Sequence, residues 1–593
     1  MLRGIQFRYH RPVRNLLAVL SFAVSVFGIG FIGYYYGFSH PDLSPRFFLA
    51  VIKGLLFFFV LNYLIRWLFA HDKWRFITDR WFDGLLTLVF IYDLISLYWL
   101  GVPLLQSVFE YFGIKAFTPL YVLFINLYLL FFIGSEFVRF STYLPRLKVS
   151  PPLLLLLSFV ILILGGTGLL MLPEMTVPPG SMPFIDALFT ATSASCVTGL
   201  IVVDTATYFT FKGQLVLLML MQVGGISIIS FAFFFASMSR SQLGLAHQLS
   251  IKEILNLPTM RMTQQILRKV VLVTLSIELV SALLIYGIVS GMRLDVSHPM
   301  FFSLFHGVSA FCNAGFSTLT DGLSHETVQH VYVLHLVIAA TVVVGGIGFW
   351  TLLDVGSPSR IRDRIRYPWK TWDVNTKVAI GTSAILIALG TIVFWLAERN
   401  RTLADLDPMA QLTTALFQSI TTRTAGFSTV EFSQLSSPFL LLTLFLMFIG
   451  ASSGSTGGGI KTSTFWVALI TVFSYIRGKR QVEIDRYGLS VAQINRAFAI
   501  LLFGLGFVMT ATFVLSFTEP DHSLVELLFE EVSAFCTVGL TLGITPELSV
   551  VGKGVIIISM LVGRVGILSF AVLLMTPRRP VSRTLPAAPL IIG

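Results

Sequence analysis

Apolar runs, most of them about 20 residues long, recur from one end of the chain to the other, at 153–172, 215–235, 331–349, 439–450 and 554–575 among others. A run of that length carries a helix across the roughly 30 Å hydrocarbon layer of a bilayer. Between the runs, polar character alternates. Lysine and arginine cluster at 3–14, 66–80, 139–148, 240–269, 360–377, 477–496 and 578–583, and the loops between these clusters are acidic or nearly uncharged. Basic loops stay on the cytoplasmic side. The alternation therefore predicts an all-α polytopic membrane protein with about twelve spanning helices and both termini in the cytoplasm.

Composition agrees. Only 12% of residues are charged, about half the share in a soluble domain. The net charge of +11 would suit nucleic acid if it formed one patch. Spread through alternate loops, it reports topology instead, with anionic membrane lipids as partners and no nucleic acid. The first apolar stretch (16–32) has no convincing cleavage site after it and reads as a membrane helix. Three cysteines are too few for a disulfide framework, and odd in number.

A search for self-similarity organises the rest. Four segments align: LFTATSASCVTG (188–199), LFHGVSAFCNAG (304–315), LFQSITTRTAG (416–426) and LFEEVSAFCTVG (528–539). Cys196, Cys312 and Cys536 each sit three residues before the glycine of their copy, and Arg423 holds that place in the third. Each copy has a spanning helix, a segment too short to cross, the glycine, and a second spanning helix. Two crossings per copy give all four the same orientation, so they can surround one axis along the membrane normal. The predicted divisions are accessory helices over 1–148, repeats over 149–245, 246–360, 361–482 and 483–577, and a tail over 578–593.

A half-helix is tolerated at membrane depth where it lines a watery cavity. Its C-terminal end carries about half a negative charge. Chain leaving such an end can turn carbonyls toward the axis to replace a cation's water, and glycine suits the turn. The residues expected to do so are Val197, Thr198 and Gly199; Asn313, Ala314 and Gly315; Thr424, Ala425 and Gly426; and Thr537, Val538 and Gly539.

The fourfold plan, together with TTRTAGF at 421–427 and GSTGGGIK at 454–461, resembles the Trk/Ktr/HKT superfamily of potassium transporters, most of all the TrkH/KtrB type of bacterial membrane subunit, over about residues 149–577. The resemblance implies K+ as the transported ion and one selectivity-filter glycine per repeat: Gly199, Gly315, Gly426 and Gly539. Glycine in all four copies resembles the potassium-selective members. It implies that the glycine-rich break in the third repeat's second helix, with Gly454, Gly457, Gly458, Gly459 and Lys461, is an intramembrane gate. Arg564, a lone arginine at membrane depth, would set an electrostatic barrier beneath the filter. Further implications are a plasma-membrane location (the bacterial inner membrane), a homodimer, and a separate TrkA/KtrA-type nucleotide-binding regulatory subunit on the cytoplasmic face.

Other readings weigh less. The cysteines suit small residues packed behind a filter better than a metal site. Arg423 is expected to bond pore-loop carbonyls. Residues 454–462 mimic a phosphate-binding loop, but Ile460 interrupts the pattern and no strand precedes it. Some of Asp186, Glu526, Glu530 and Glu531 are expected to line an outer vestibule. No catalytic constellation appears, so the chain is not read as an enzyme. Uptake could be channel-like or an ion-coupled symport. The alternative function is a secondary carrier for sodium or a small solute, which would explain the broken helix but not four equivalent half-helices.

Overall fold

In a computed structural model, residues 2–39, 44–70, 72–79, 81–100, 151–242, 263–367 and 369–574 are described. The last part of the predicted accessory region (101–148), with its basic cluster at 139–148, the basic cluster at 578–583, most of the cluster at 240–269 and the tail lie outside them.

Contacts divide the chain into two units: Met1–Val149 with Leu172–Glu174, and the remainder. The first contains α1 (Leu2–Gly37), α2 (Pro45–Leu68), α3 (Lys73–Asp79) and α4 (Trp81–Leu100). Helix α2 starts where Ser44 caps the amide of Phe47 and Pro45 takes the first turn, a position that needs no amide donor. Its apolar residues Phe48, Ile52, Leu55, Leu56 and Phe59 form the core of this unit. A polar stitch holds α1 to α2: Asn62 and Arg66 both donate to the Ser21 hydroxyl, Arg66 at 3.0 Å.

In the second unit one plan occurs four times. Helices α5 (Pro151–Leu170), α6 (Phe184–Cys196) and α7 (Phe211–Gln242) form the first copy. The second has α8 (Thr263–Gly291), α9 (Pro299–Cys312), α10 (Tyr332–Ile347) and α11 (Phe349–Gly356), followed by the short basic helix α12 (Pro358–Arg366). The third has α13 (Val374–Glu398), α14 (Pro408–Thr421), α15 (Ser437–Phe448) and α16 (Thr462–Ile476). Two-residue strands β1 (Glu483–Ile484) and β2 (Tyr487–Gly488) make a hairpin before the fourth copy. That copy has α17 (Val491–Thr518), α18 (Leu524–Phe535), α19 (Val550–Val565) and α20 (Ile567–Leu574). Lys377 donates to Asp485 of the hairpin at 2.6 Å, and this bond holds the Asp485 carboxyl below the usual carboxylate range.

Among the described residues, five helices are long and apolar enough to cross a membrane as single rods: parts of α1, α2 and α8, and α13 and α17. The bent pair α10–α11 makes a sixth. The apolar run at 331–349 reads as one straight segment, yet the chain turns by 102° between α10 and α11. Gly348 adopts φ +94° at the corner, and the Phe349 amide, freed from the helix, donates to the Gly454 carbonyl at 3.0 Å. Gly348 is thus the corner of the bend. The break after α19 has the same form, with Gly566 at φ +94°.

The short helices α6, α9, α14 and α18 form the interior. Phe189, Phe305, Phe417 and Phe529, the second residue of each repeat motif, are all buried. Each such phenyl contributes about 2–3 kcal/mol of transfer free energy, which anchors the half-helix at membrane depth. The outward faces of α8 and α17 carry exposed Leu283, Leu284, Leu502 and Phe513, as a lipid-facing surface requires.

Candidate pore: a ring of four glycine-ended loops

Helices α6, α9, α14 and α18 are 12 to 14 residues long, too short to cross a bilayer. Each gives way to an equivalent backbone kink. Val197, Asn313, Thr424 and Thr537 have φ of +58°, +59°, +74° and +50°, and the glycines two residues on have φ of +94°, +71°, +78° and +92°. Three of the four non-glycine residues are β-branched, the class least tolerant of this region. Left-handed backbone costs an L-residue about 1–2 kcal/mol. Four such costs at matched positions are borne because the surroundings dictate the turn.

The glycines close a ring. A Cβ added to Gly199 would lie within 2.7 Å of the Ala314 carbonyl oxygen; one on Gly315 would meet Ala425, and one on Gly426 would meet Val538 in the same way. A Cβ on Gly539 would overlap the carbonyl of Thr198. Each glycine therefore abuts the residue just before the next repeat's glycine, in the order 1–2–3–4–1. No side chain fits at any of the four.

Hydrogen bonds back to the half-helices fix the loops. The amides of Thr198, Ala314 and Val538 donate to the carbonyls of Ser193, Ser309 and Ser533 at 2.8, 2.7 and 2.8 Å, and Ala425 donates to Thr421 at 3.0 Å. The hydroxyls of the same four residues add a second tie. Ser193 and Ser533 accept from the amides of Gly199 and Gly539, both at 3.1 Å. Ser309 and Thr421 donate to the carbonyls of Phe316 and Phe427 at 2.8 and 2.5 Å. Sequence reasoning passed over these hydroxyls, although Ser or Thr fills the sixth motif position in all four copies. Their role depends on the loop doubling back, which an alignment column does not display.

Below the ring lies the break between α15 and α16. A Cβ on Gly457 or Gly458 would overlap the hydroxyl of Thr424 or Thr537, and one on Gly459 would crowd Cys536. The Gly458 amide donates to the Thr537 hydroxyl at 3.0 Å. The Thr456 hydroxyl donates to the Phe311 carbonyl at 3.1 Å, and the Ser452 amide to Gly346 at 2.9 Å. Arg564 donates to the carbonyls of Thr456 and Gly224, the latter at 2.7 Å. The Lys461 ammonium donates to the Gly457 and Gly458 carbonyls, at 3.3 Å to the second. The break is thus bonded to repeats 2 and 4 and linked through Arg564 to repeat 1, and both cations act as ties on its backbone rather than as unengaged charges.

Arg423 departs from expectation. Its guanidinium donates to the Ser383 hydroxyl at 3.2 Å and the Gly450 carbonyl at 3.3 Å, not to carbonyls of the ring. The interruption of α15 leaves the Gly450 carbonyl without a helical donor, and the arginine supplies one. In the other repeats the cysteines are buried free thiols. There Gly224, Gly345 and Gly563 press against the carbonyls of Ser195, Phe311 and Phe535 with no room for a Cβ.

The acidic residues do not form an open vestibule. Asp186 pairs with Lys553 at 2.7 Å, Glu526 completes a capping box with Ser523, and Glu530 and Glu531 are buried. Among the described residues no three metal-ligating side chains gather.

Residues 154–580 match the TrkH family, described as a cation transport protein. The chain is similar to the Ktr system potassium uptake protein B of Bacillus subtilis, at 39% identity over 71% of this chain and 92% of that one. It is similar to the potassium/sodium uptake protein NtpJ of Enterococcus hirae at 36% identity, over 76% and 98%. The fold matches the crystal structure of the potassium transporter TrkH from Vibrio parahaemolyticus with a TM-score of 0.59 at 18% identity, over 82% of this chain and 97% of that one.

Proposed function

The chain belongs to the TrkH/Ktr family of cation transport proteins, and from that premise we propose that it takes up potassium through the ring as a selectivity filter, with the α15–α16 break as its gate. Carrying this reading is the cyclic packing of four glycines against four carbonyls. Among the described residues, no hydrogen bond reaches the carbonyls of Thr198, Ala314, Ala425 or Val538. Oxygens so arranged can replace the hydration of a dehydrated cation, and the C-terminal ends of α6, α9, α14 and α18 add negative potential. The filter residues are Val197–Gly199, Asn313–Gly315, Thr424–Gly426 and Thr537–Gly539. Gly457, Gly458 and Gly459, beneath two filter threonines and a filter-flanking cysteine, would block conduction until the bonds of Arg564 and Lys461 are released.

The protein works in the plasma membrane with both termini in the cytoplasm. It pairs as a homodimer and responds to a separate nucleotide-binding subunit on its basic face. The similarity to a potassium/sodium uptake protein favours sodium as a second ion, either coupled or competing.

Rubidium-86 uptake into proteoliposomes, with K+ and Na+ as competitors, tests the proposal. Flux blocked by K+ far better than by Na+, with that preference lost in Gly426→Ser, is the expected result. Equal block by the two ions, or a Gly426→Ser protein indistinguishable from wild type, removes the potassium filter. Rubidium flux that rises only with sodium present identifies a coupled carrier.

A further inference from the structure

The third position of the repeat motif holds Thr190, His306, Gln418 and Glu530. All four are buried polar side chains, each directly after a buried phenylalanine. They lie 9 residues before the glycine in three repeats (199−190, 315−306, 539−530) and 8 in the third (426−418). Burying a polar group without a partner is costly, so four at one register position call for a shared reason.

Three of them reach the chain just past the ring. His306 Nδ1 faces the Phe302 carbonyl at 2.9 Å, which can only accept, so that nitrogen carries the proton. Its Nε2 then accepts from the Ser317 hydroxyl at 2.9 Å. The Gln418 amide donates to the Thr429 hydroxyl at 2.8 Å. Glu530 Oε1 accepts from the hydroxyls of Thr541 and Thr545, the second at 2.8 Å. Ser317, Thr429 and Thr541 follow their glycines by 2, 3 and 2 residues (317−315, 429−426, 541−539). Three different chemistries thus make one connection. Repeat 1 lacks it: Ile201 stands two residues after Gly199, and the Thr190 hydroxyl has no hydrogen-bond partner.

We infer that His306, Gln418 and Glu530 are positioning residues for ion selectivity: each braces the outer end of a filter strand to its own half-helix, leaving the first strand the least braced. The inference rests on the ring being the potassium filter. The Ser/Thr ties described above hold each strand at its glycine or at the residue after it. Beyond them these side chains fix the outer end, and a strand held at successive points keeps its carbonyls at a spacing that favours one cation radius. The Glu530 brace is the strongest, because one carboxyl oxygen gathers two hydroxyls, where His306 and Gln418 each make one such bond.

The test measures K+ and Na+ competition against rubidium-86 uptake by the full chain in proteoliposomes. Glu530→Leu should reduce the K+ preference over Na+ by about tenfold and Gln418→Leu by roughly threefold, the range expected for losing one or two intramolecular hydrogen bonds. Glu530→Gln retains an acceptor oxygen and should restore most of the preference. Thr541→Val removes the bond from its other end without altering α18, so the proposal stays testable if Glu530→Leu fails to fold. Combined with Glu530→Leu it should add little further loss, as partners in one interaction do.

A normal ion preference in both Glu530→Leu and Thr541→Val overturns the brace, as does a Glu530→Gln protein no better than Glu530→Leu. Gly426→Ser run alongside separates the two ideas. If it alone changes preference, the filter stands and the brace fails; if no variant does, the filter reading fails first.

Discussion

Repeats 1, 2 and 4 solve the space behind the ring in one way, and repeat 3 in another. In the three similar copies a buried cysteine stands one turn before the glycine, and a glycine of the following helix presses on the half-helix end. In repeat 3 a buried guanidinium stands there, and the following helix is interrupted by the whole segment 449–461 between α15 and α16, where repeats 2 and 4 break at the single glycines Gly348 and Gly566. The two departures are one device. Arg423 bonds Gly450 at the start of the break, Gly457 and Gly458 fit only because they lack side chains, and Arg564 of repeat 4 bonds Thr456 at its middle. Symmetry is kept in the ring of four glycines and given up in one copy beneath it.

The largest effects should come from the part all four repeats share. Alanine at Gly539 or at Gly426 places a methyl against a neighbour's carbonyl and adds left-handed strain of roughly 2 kcal/mol, about a 30-fold change in an equilibrium. Both should abolish ion discrimination in the competition assay, although they belong to the two different classes of repeat. If only Gly426→Ala did so, the ring would not be functionally fourfold.

Next in size is the asymmetric device itself. Arg564→Ala removes the bond to Thr456 in the break and the bond to Gly224 that links it to repeat 1, and rubidium flux without any regulator should rise about tenfold, as the loss of roughly 1.4 kcal/mol from the closed state implies. Flux that stays the same or falls would mean that the break is not held shut by this tie.

Arg423→Cys makes the third copy like the others. With the bonds to Ser383 and Gly450 gone, thermal unfolding in detergent should show a loss of about 2 kcal/mol. An unchanged midpoint would show that repeat 3 accepts the cysteine arrangement and that its arginine has no structural part.

The smallest effect concerns how the half-helices begin. Helix α18 opens with the Ser523–Glu526 capping box, whereas the Asp407 side chain makes no cap bond at the start of α14. Ser523→Ala should cost about 1 kcal/mol and Asp407→Ala only a few tenths, read from the same unfolding curves.

Membrane character, the fourfold plan and the ring glycines were legible in the sequence because each is local and repeated. A spanning helix needs a run of apolar residues, and a positive-φ turn at a fixed distance after a half-helix selects glycine at Gly199, Gly315, Gly426 and Gly539. The bend at Gly348 was not legible, since the apolar run continues through it. Nor was the fate of Asp186, Glu526, Glu530 and Glu531: a carboxylate near a pore reads alike whether it faces water, caps a helix or braces a loop.

By itself, then, the sequence determined the apolar stretches, the half-helix of each repeat and the four places where the chain must turn without a side chain. Tertiary structure alone decided the cyclic order of the loops, the partners of Arg423, Lys461 and Arg564, and the hydroxyls that meet His306, Gln418 and Glu530. Apolar length and backbone conformation are properties of a segment, whereas a buried charge or hydroxyl takes whichever partner the packing of distant segments brings within 3 Å or so.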